Sequence, residues 1–309
     1  MRLLAAFVIW LRARWLRIMA LAGIAGALGV AGGAQLAEKE RELVFRIEPG
    51  TASWYGGLPE GVEELDLPLA ERRIVAGDDA RRQSLHAWWW PADRKDAPAV
   101  LYLHGSRWNL TGQLFRIRQL HELGMSVLAV DYRGFGKSAG ETSEKTVYED
   151  ARTAWDKLVL LQPDPQRRLI YGHSLGGAIA VDLAARLSEE SKEAAKEAAP
   201  AARGLIVESS FTTLADVARA YSTKWLPVQL LLRQKFDSAD KIARVRMPVL
   251  VAHGSADRFV PARLGQALYE AAPEPKRLLI VDGGTHNNSL RLGVAAYRKA
   301  LRELFGLKM

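Results

Sequence analysis

The chain has 309 residues, about half of them apolar and a quarter charged, enough for one α/β domain of roughly 240 residues with a segment to spare. No cysteine occurs, which excludes disulfides, thiolate metal ligands and a cysteine nucleophile. The formal net charge of +8 would suit an anionic partner, but Arg2, Arg12, Arg14 and Arg17 supply half of it from the N-terminus. No Lys/Arg stripe interleaved with aromatics points to nucleic acid.

In chain order, 1–17 is basic and apolar by turns, and Ile18 to Ala34 is a run of seventeen residues without a charge. As a helix that run would span about 26 Å, close to the lower limit for crossing a bilayer. We expect 1–34 to be an uncleaved signal-anchor, with a cleaved signal peptide and a secreted product as the alternative. The arginines precede the run and Glu38, Glu40 and Glu42 follow it, so the positive-inside rule keeps the N-terminus cytoplasmic and sends the remainder across. Residues 35–60 read as a stalk and irregular lead-in broken by Pro49-Gly50 and Gly56-Gly57. The globular domain is expected over 61–309.

Within it, Glu64 to Leu69 alternates as an edge strand would, and Ser84 to Trp90 is a second strand ending in Trp88, Trp89 and Trp90, which we expect to pack rather than bind. Short apolar runs at Ala99–Leu103, Ser126–Tyr132, Leu169–Tyr171, Gly204–Val207, Pro248–Ala252 and Arg277–Val281 read as buried strands. Helical stretches at Gly112–Leu123 and Glu144–Leu161 separate the first three. Strands alternating with helices imply βαβ units and a mostly parallel sheet. Two stretches depart from this rhythm. Ser188 to Ala202 is a charged, alanine-rich extension into solvent, and 211–247 is an overlong crossover whose apolar cluster, Trp225 to Leu232, suits either a small lid or a core helix.

The strand Leu169–Tyr171 runs into Gly172-His173-Ser174-Leu175-Gly176, a G-x-S-x-G turn from strand to helix that holds a serine hydroxyl clear of the sheet. Serine is a poor nucleophile until a histidine takes its proton, and that histidine needs a carboxylate to fix its tautomer. In such an architecture the order is Ser, acid, His, each in a loop after a strand. Ser174 is therefore the candidate nucleophile, Asp257 in HGSAD the acid, and His286 in DGGTH the base. Glu208, one strand earlier, is the rival acid. Two backbone donors are needed for an oxyanion, and the N–H groups of Leu175 and Ser106 are the candidates. His173 should point away from the nucleophile, His253 belongs to the loop scaffold, and His86 and His121 are structural or exposed. No His/carboxylate cluster has metal-ligand spacing, and Gly134 to Ser138 lacks the first glycine of a P-loop, so we expect no metal and no cofactor.

The segments LYLHGS, VDYRGFGKSAG, YGHSLGG, ESSF, VLVAHGSADRFVP and GGTHNN, in that order, resemble the α/β-hydrolase superfamily, and within it the membrane-anchored serine hydrolases with a short lid. The anchor and RELVFRIEPGTASW also resemble that group. The resemblance implies an α/β-hydrolase fold with a mostly parallel eight-stranded sheet flanked by helices, and Ser174, Asp257 and His286 as its triad. It implies a small-molecule acyl ester or thioester substrate close to membrane lipid, with a peptidase or amidase, or a silent membrane-bound scaffold, as the alternatives. Arg107 and Trp108 depart from the small residues usual after His-Gly-Ser, which would narrow an acyl pocket or anchor an anionic group.

Overall fold

A computed structural model describes residues 35–69, 84–194, 200–221 and 232–308. The expected anchor, 18–34, lies outside them, as do residues 225–231 of the apolar cluster. Among the described residues, no helix is long and apolar enough to cross a membrane. The larger of two compact units begins at Phe45, so the stretch expected as a stalk, 35–60, joins that unit part-way along.

That unit is built on one eight-stranded sheet. Its strands are β1 (Glu63–Pro68), β2 (Ser84–Trp90), β3 (Ala99–Leu103), β4 (Ser126–Val130), β5 (Arg168–His173), β6 (Gly204–Glu208), β7 (Val249–Gly254) and β8 (Lys276–Val281). The order across the sheet is β1-β2-β4-β3-β5-β6-β7-β8. β2 runs antiparallel to both neighbours, and every other pairing is parallel. β3, β5, β6 and β7 are buried along their whole length, as continuous apolar runs must be when helices cover both faces.

The helices are α1 (Leu110–Glu122), α2 (Glu144–Leu161), α3 (Leu175–Ala194), α4 (Leu214–Tyr221), α5 (Ser238–Ile242), α6 (Ala262–Ala271), α7 (Ser289–Leu292) and α8 (Val294–Phe305). Val100, Tyr102, Leu169, Tyr171, Ile206 and Leu250 all project to one face of the sheet because side chains alternate along a strand. There they join Leu110, Ile117 and Leu120 of α1 and Tyr297, Leu301 and Phe305 of α8 in one core. α2 starts on a reciprocal cap: the Ser143 hydroxyl accepts from Thr146 N–H at 3.2 Å while Thr146 Oγ1 accepts from Ser143 N–H at 2.8 Å. Trp88 is buried in the same core, stacked on Tyr55.

The alanine-rich extension is less solvated at its start than expected. Ser188 is buried, and its hydroxyl accepts from Arg246 N–H at 3.0 Å. The long crossover runs from the end of β6 at Glu208 to the start of β7 at Val249, and within it Ser238 N–H donates to Thr212 O at 2.8 Å. It is thus an excursion closed at its base. Because β3, β5, β6, β7 and β8 are parallel, the loops after them open on one edge of the sheet, the edge where α/β folds gather their chemistry.

Candidate active site

Ser174 occupies the turn between β5 and α3 with φ of 57°, a left-handed conformation that a residue bearing a Cβ adopts only where its surroundings impose it. Its N–H continues the β5–β6 ladder by donating to Glu208 O at 2.9 Å, and its carbonyl accepts from Gly177 N–H and from the Ser210 hydroxyl, each at 2.9 Å. The flanking glycines are steric requirements. A Cβ on Gly172 would stand 2.1 Å from Gly176 O, and one on Gly176 would stand 2.1 Å from Leu103 O.

The loops after β7 and β8 lie side by side. Ser255 N–H donates to Val281 O at 2.9 Å and Ala256 N–H to Gly284 O at 2.8 Å, and Gly254 approaches Gly284 too closely for a side chain. This contact brings Asp257 to His286: Oδ2 lies 2.8 Å from Nδ1. A carboxylate can only accept, so Nδ1 carries the proton and Nε2 keeps its lone pair. Asp257 Oδ1 accepts from Phe259 N–H at 2.8 Å and Val260 N–H at 2.9 Å, and His253 Nε2 lies 3.3 Å from Oδ2. Burial pushes the carboxyl pKa up, but the hydrogen bonds from His253, His286 and the Val260 amide outweigh it and hold Asp257 well below the usual carboxylate range. His253 is the scaffold residue it was expected to be, since its Nε2 also donates to Val260 O at 2.9 Å.

His173, expected to point away from the nucleophile, is tied to the His286 loop. Its Nε2 donates to the backbone carbonyl of His286 at 2.8 Å, with the two rings 4.8 Å apart. Burial, with Arg116 and His286 adding to it, drives the His173 pKa well below 6.5, so the ring is a neutral donor tying the serine turn to the His286 loop. Of the two oxyanion candidates, Leu175 follows Ser174 in the chain and Ser106 lies on the loop after β3. Leu175 opens α3, where the first N–H groups of a helix have no acceptor within it. Ser106 follows Gly105, and Gly105 is pressed so close to the turn that a Cβ on it would lie 3.0 Å from Ser174 Cβ.

Among the described residues, Glu208 is joined to His286 by no hydrogen bond or ion pair. It is fully buried, and its carboxylate pairs with the equally buried Arg116 at 2.5 Å and accepts from the hydroxyls of Tyr171 and Ser289. Arg116 also reaches Asn287 O at 3.5 Å, so this ion pair props the far side of the His286 loop. Sequence reading missed Arg116, although a signal exists: it falls on the same helical face as Leu110, Gln113, Ile117 and Leu120, and a cation on an apolar face needs a buried carboxylate. Arg107 is likewise committed, with Nε 3.0 Å from Glu48 Oε1 and its guanidinium over the Trp108 ring. Phe259, 60% exposed, has its ring 5.5 Å from that of His286, and Tyr221 at the end of α4 donates its hydroxyl to Phe259 O at 2.9 Å.

Residues 95–238 match the family Hydrolase_4, described as serine aminopeptidase, S33. The chain is 38% identical over 224 residues to the uncharacterized protein Rv2307c of Mycobacterium tuberculosis, covering 72% of this chain and 74% of that one. It is 30% identical over 222 residues to the lysophosphatidylserine lipase ABHD12 of Danio rerio, covering 66% of this chain and 55% of that protein. In three dimensions it is similar to the crystal structure of an alpha-beta hydrolase from Vibrio vulnificus, with a TM-score of 0.61 over 79% of this chain and 82% of that one at 22% identity. A serine held in a strained turn between strand and helix, a histidine loop three strands away, and these likenesses in sequence and fold lead to one statement: the chain belongs to the α/β-hydrolase superfamily.

Proposed function

We propose that the protein is a serine hydrolase that cleaves a carboxylic ester or thioester through an acyl-enzyme. The observation that carries this reading is the Asp257–His286 hydrogen bond, which fixes the histidine as an Nδ1–H tautomer on the sheet edge that bears Ser174. In the reaction, Ser174 Oγ attacks the carbonyl carbon while His286 Nε2 takes its proton. The resulting oxyanion is held by the N–H groups of Ser106 and Leu175, and collapse expels the alcohol or thiol with the proton returned by His286. Water, deprotonated by the same nitrogen, then attacks the acyl carbon and releases Ser174. Asp257 stays ionised throughout and stabilises the imidazolium, as its depressed pKa suits it to do.

Ester or thioester cleavage is favoured over the peptidase reading by Phe259, a large apolar side chain 60% exposed beside the His286 ring, which suits contact with an acyl chain. The lipase activity given for the Danio rerio relative is in keeping with it, whereas the aminopeptidase description of the matched family supports the amide alternative. We further propose that 211–247 is a lid and that Ile18 to Ala34 is a retained anchor with the hydrolase domain outside the cytoplasm. Labelling with a fluorophosphonate probe tests the chemistry. The wild-type protein should label at Ser174 and hydrolyse 4-nitrophenyl esters, and Ser174→Ala should lose both by on the order of a thousandfold or more while melting at an unchanged temperature. Near wild-type hydrolysis by Ser174→Ala would overturn the assignment.

A further inference from the structure

The stretch 45–52 precedes the first strand and belongs to no part of the sheet, yet it is bonded along its length to the loop that follows β3. Arg107 N–H donates to Phe45 O at 2.8 Å and Glu48 N–H donates to Arg107 O at 2.9 Å, so both backbone groups of Arg107 are held by the same short segment. Asn109 Nδ2 donates to Gly50 O at 2.7 Å, and Ala52 N–H donates to Thr111 Oγ1 at 3.0 Å. The segment is itself anchored, because Phe45 and Ala52 are buried and the Phe45 ring packs edge-on against Phe236 with centroids 6.1 Å apart. What it holds is unusual. Arg107 has φ of 91°, a conformation that non-glycine residues adopt only under constraint, and the residue before it is Ser106, the second oxyanion donor in the mechanism above. On the other side of Ser106, Gly105 is pressed against Ser174.

An amide on a loop can stabilise an oxyanion only if its direction is fixed before the charge develops. Ser106 is one residue from a backbone that neither the sheet nor α1 controls, since α1 starts only at Leu110 with Asn109 as its cap. We propose that residues 45–52 are a positioning element of the active site, a strap that holds Arg107 in its left-handed conformation and thereby aims the Ser106 N–H at the oxyanion. The proposal rests on the serine hydrolase reading and goes beyond it, because it places part of the machinery in a segment that precedes the domain's first strand.

Glu48→Pro in the full-length protein tests this, because proline lacks the N–H that Arg107 O accepts. Glu48→Ala is the comparator, since it removes only the exposed side-chain pair with Arg107. The readouts are kcat per site titrated with a fluorophosphonate, KM for 4-nitrophenyl butyrate, and affinity for a trifluoromethyl ketone, whose adduct with the serine carries its charge on the same donors. A strap that only stabilised the fold would lower the fraction of titratable sites and leave the rate per site unchanged. Glu48→Pro is expected to lower kcat per site on the order of tenfold to a hundredfold, to leave KM within about threefold, and to weaken the ketone in step with kcat, with a markedly smaller effect of Glu48→Ala. Should Glu48→Pro fail to melt cooperatively, Thr111→Val, which removes the acceptor for Ala52 N–H at nearly constant volume, carries the same readouts with an expected loss of about threefold to tenfold. A folded variant with wild-type rate per site and wild-type ketone affinity would overturn the strap. Absence of labelling at Ser174 in the wild type would instead overturn the hydrolase reading, and the strap with it.

Discussion

Asp257 and Glu208 both follow buried strands on the same edge of the sheet, and the substitutions Asp257→Asn and Glu208→Gln should separate them by kind of damage. Asp257 Oδ1 already meets two fixed donors, the amides of Phe259 and Val260 at 2.8 and 2.9 Å. After Asp257→Asn only the amide oxygen can satisfy them, so the new NH2 group must face His286 Nδ1, now 2.8 Å from Oδ2. A donor there forces the proton of His286 onto Nε2, the nitrogen that has to receive the proton of Ser174. The geometry survives and the base is lost, so kcat should fall on the order of 10³- to 10⁴-fold, about 4 to 5.5 kcal/mol of transition-state stabilisation. Glu208→Gln removes the one carboxylate that, among the described residues, is bonded to the buried Arg116 guanidinium. Breaking such a pair from one side costs about 3 to 5 kcal/mol of stability. At about 2 to 4 °C per kcal/mol for a domain of this size, the melting temperature should drop by about 6 to 20 °C. Ester hydrolysis per folded molecule should stay within about tenfold. The assay is 4-nitrophenyl ester turnover normalised to folded protein, with thermal unfolding followed by circular dichroism. Retention of more than about a tenth of the rate by Asp257→Asn, with a steep loss in Glu208→Gln, would refute the reasoning.

His173 gives a pH-dependent test. Its pKa in the folded chain lies well below the 6.5 it takes when unfolded, so below 6.5 the unfolded state binds the extra proton and stability falls on acidification. Between pH 6.5 and 5.5 the wild type should lose about 1 kcal/mol more than His173→Gln in urea unfolding, and parallel pH dependences would sink the account. The anchor gives another. Full-length protein should stay in the membrane fraction through a high-salt wash, because an apolar tether is indifferent to screening, and release by salt or a mature N-terminus beyond Ala34 would favour the secreted alternative.

The parts of the site legible from sequence are those written locally. Gly172-His173-Ser174-Leu175-Gly176 shows both the chemistry and the turn that presents it, because the glycines required by backbone contacts at 2.1 Å lie within two residues of the serine. Asp257 and His286 are legible for a similar reason, each standing a few residues past the end of a short apolar run, although the run before His286, expected to be buried, is mostly half-exposed at the edge of the sheet. The strands were readable too, since fully buried parallel strands have no polar face to confuse with a helix. The place of Asp257 in the chain favours it over Glu208, but what engages Glu208 was not readable. It turns on Arg116, 92 residues from Glu208 in the chain, and on which carboxylate that guanidinium claims.

The segment 45–52 shows why the remainder was hidden. Pro49-Gly50 reads as a break, and a stretch with no period and two breakers looks like linker by every local criterion. Its role is set by donors and acceptors 59 residues downstream, at Arg107, Asn109 and Thr111, and single contacts to backbone groups across that distance leave no periodic pattern to read. The same holds for Arg107. Its guanidinium suggested recognition of an anionic substrate, but that group is engaged by Glu48, and the feature that matters is a backbone angle no sequence pattern announces. A side chain can thus be dispensable at a position whose backbone is not. For this site the consequence is specific: substitutions of Arg107 that tolerate a positive φ, such as Arg107→Gly or Arg107→Asn, should disturb turnover less than Arg107→Val, because a β-branched residue is excluded from the left-handed region that the strap imposes. An order of kcat per titrated site that instead followed the loss of positive charge, with Arg107→Lys alone retaining activity, would show that the positive charge of the side chain and not the backbone is what the site uses.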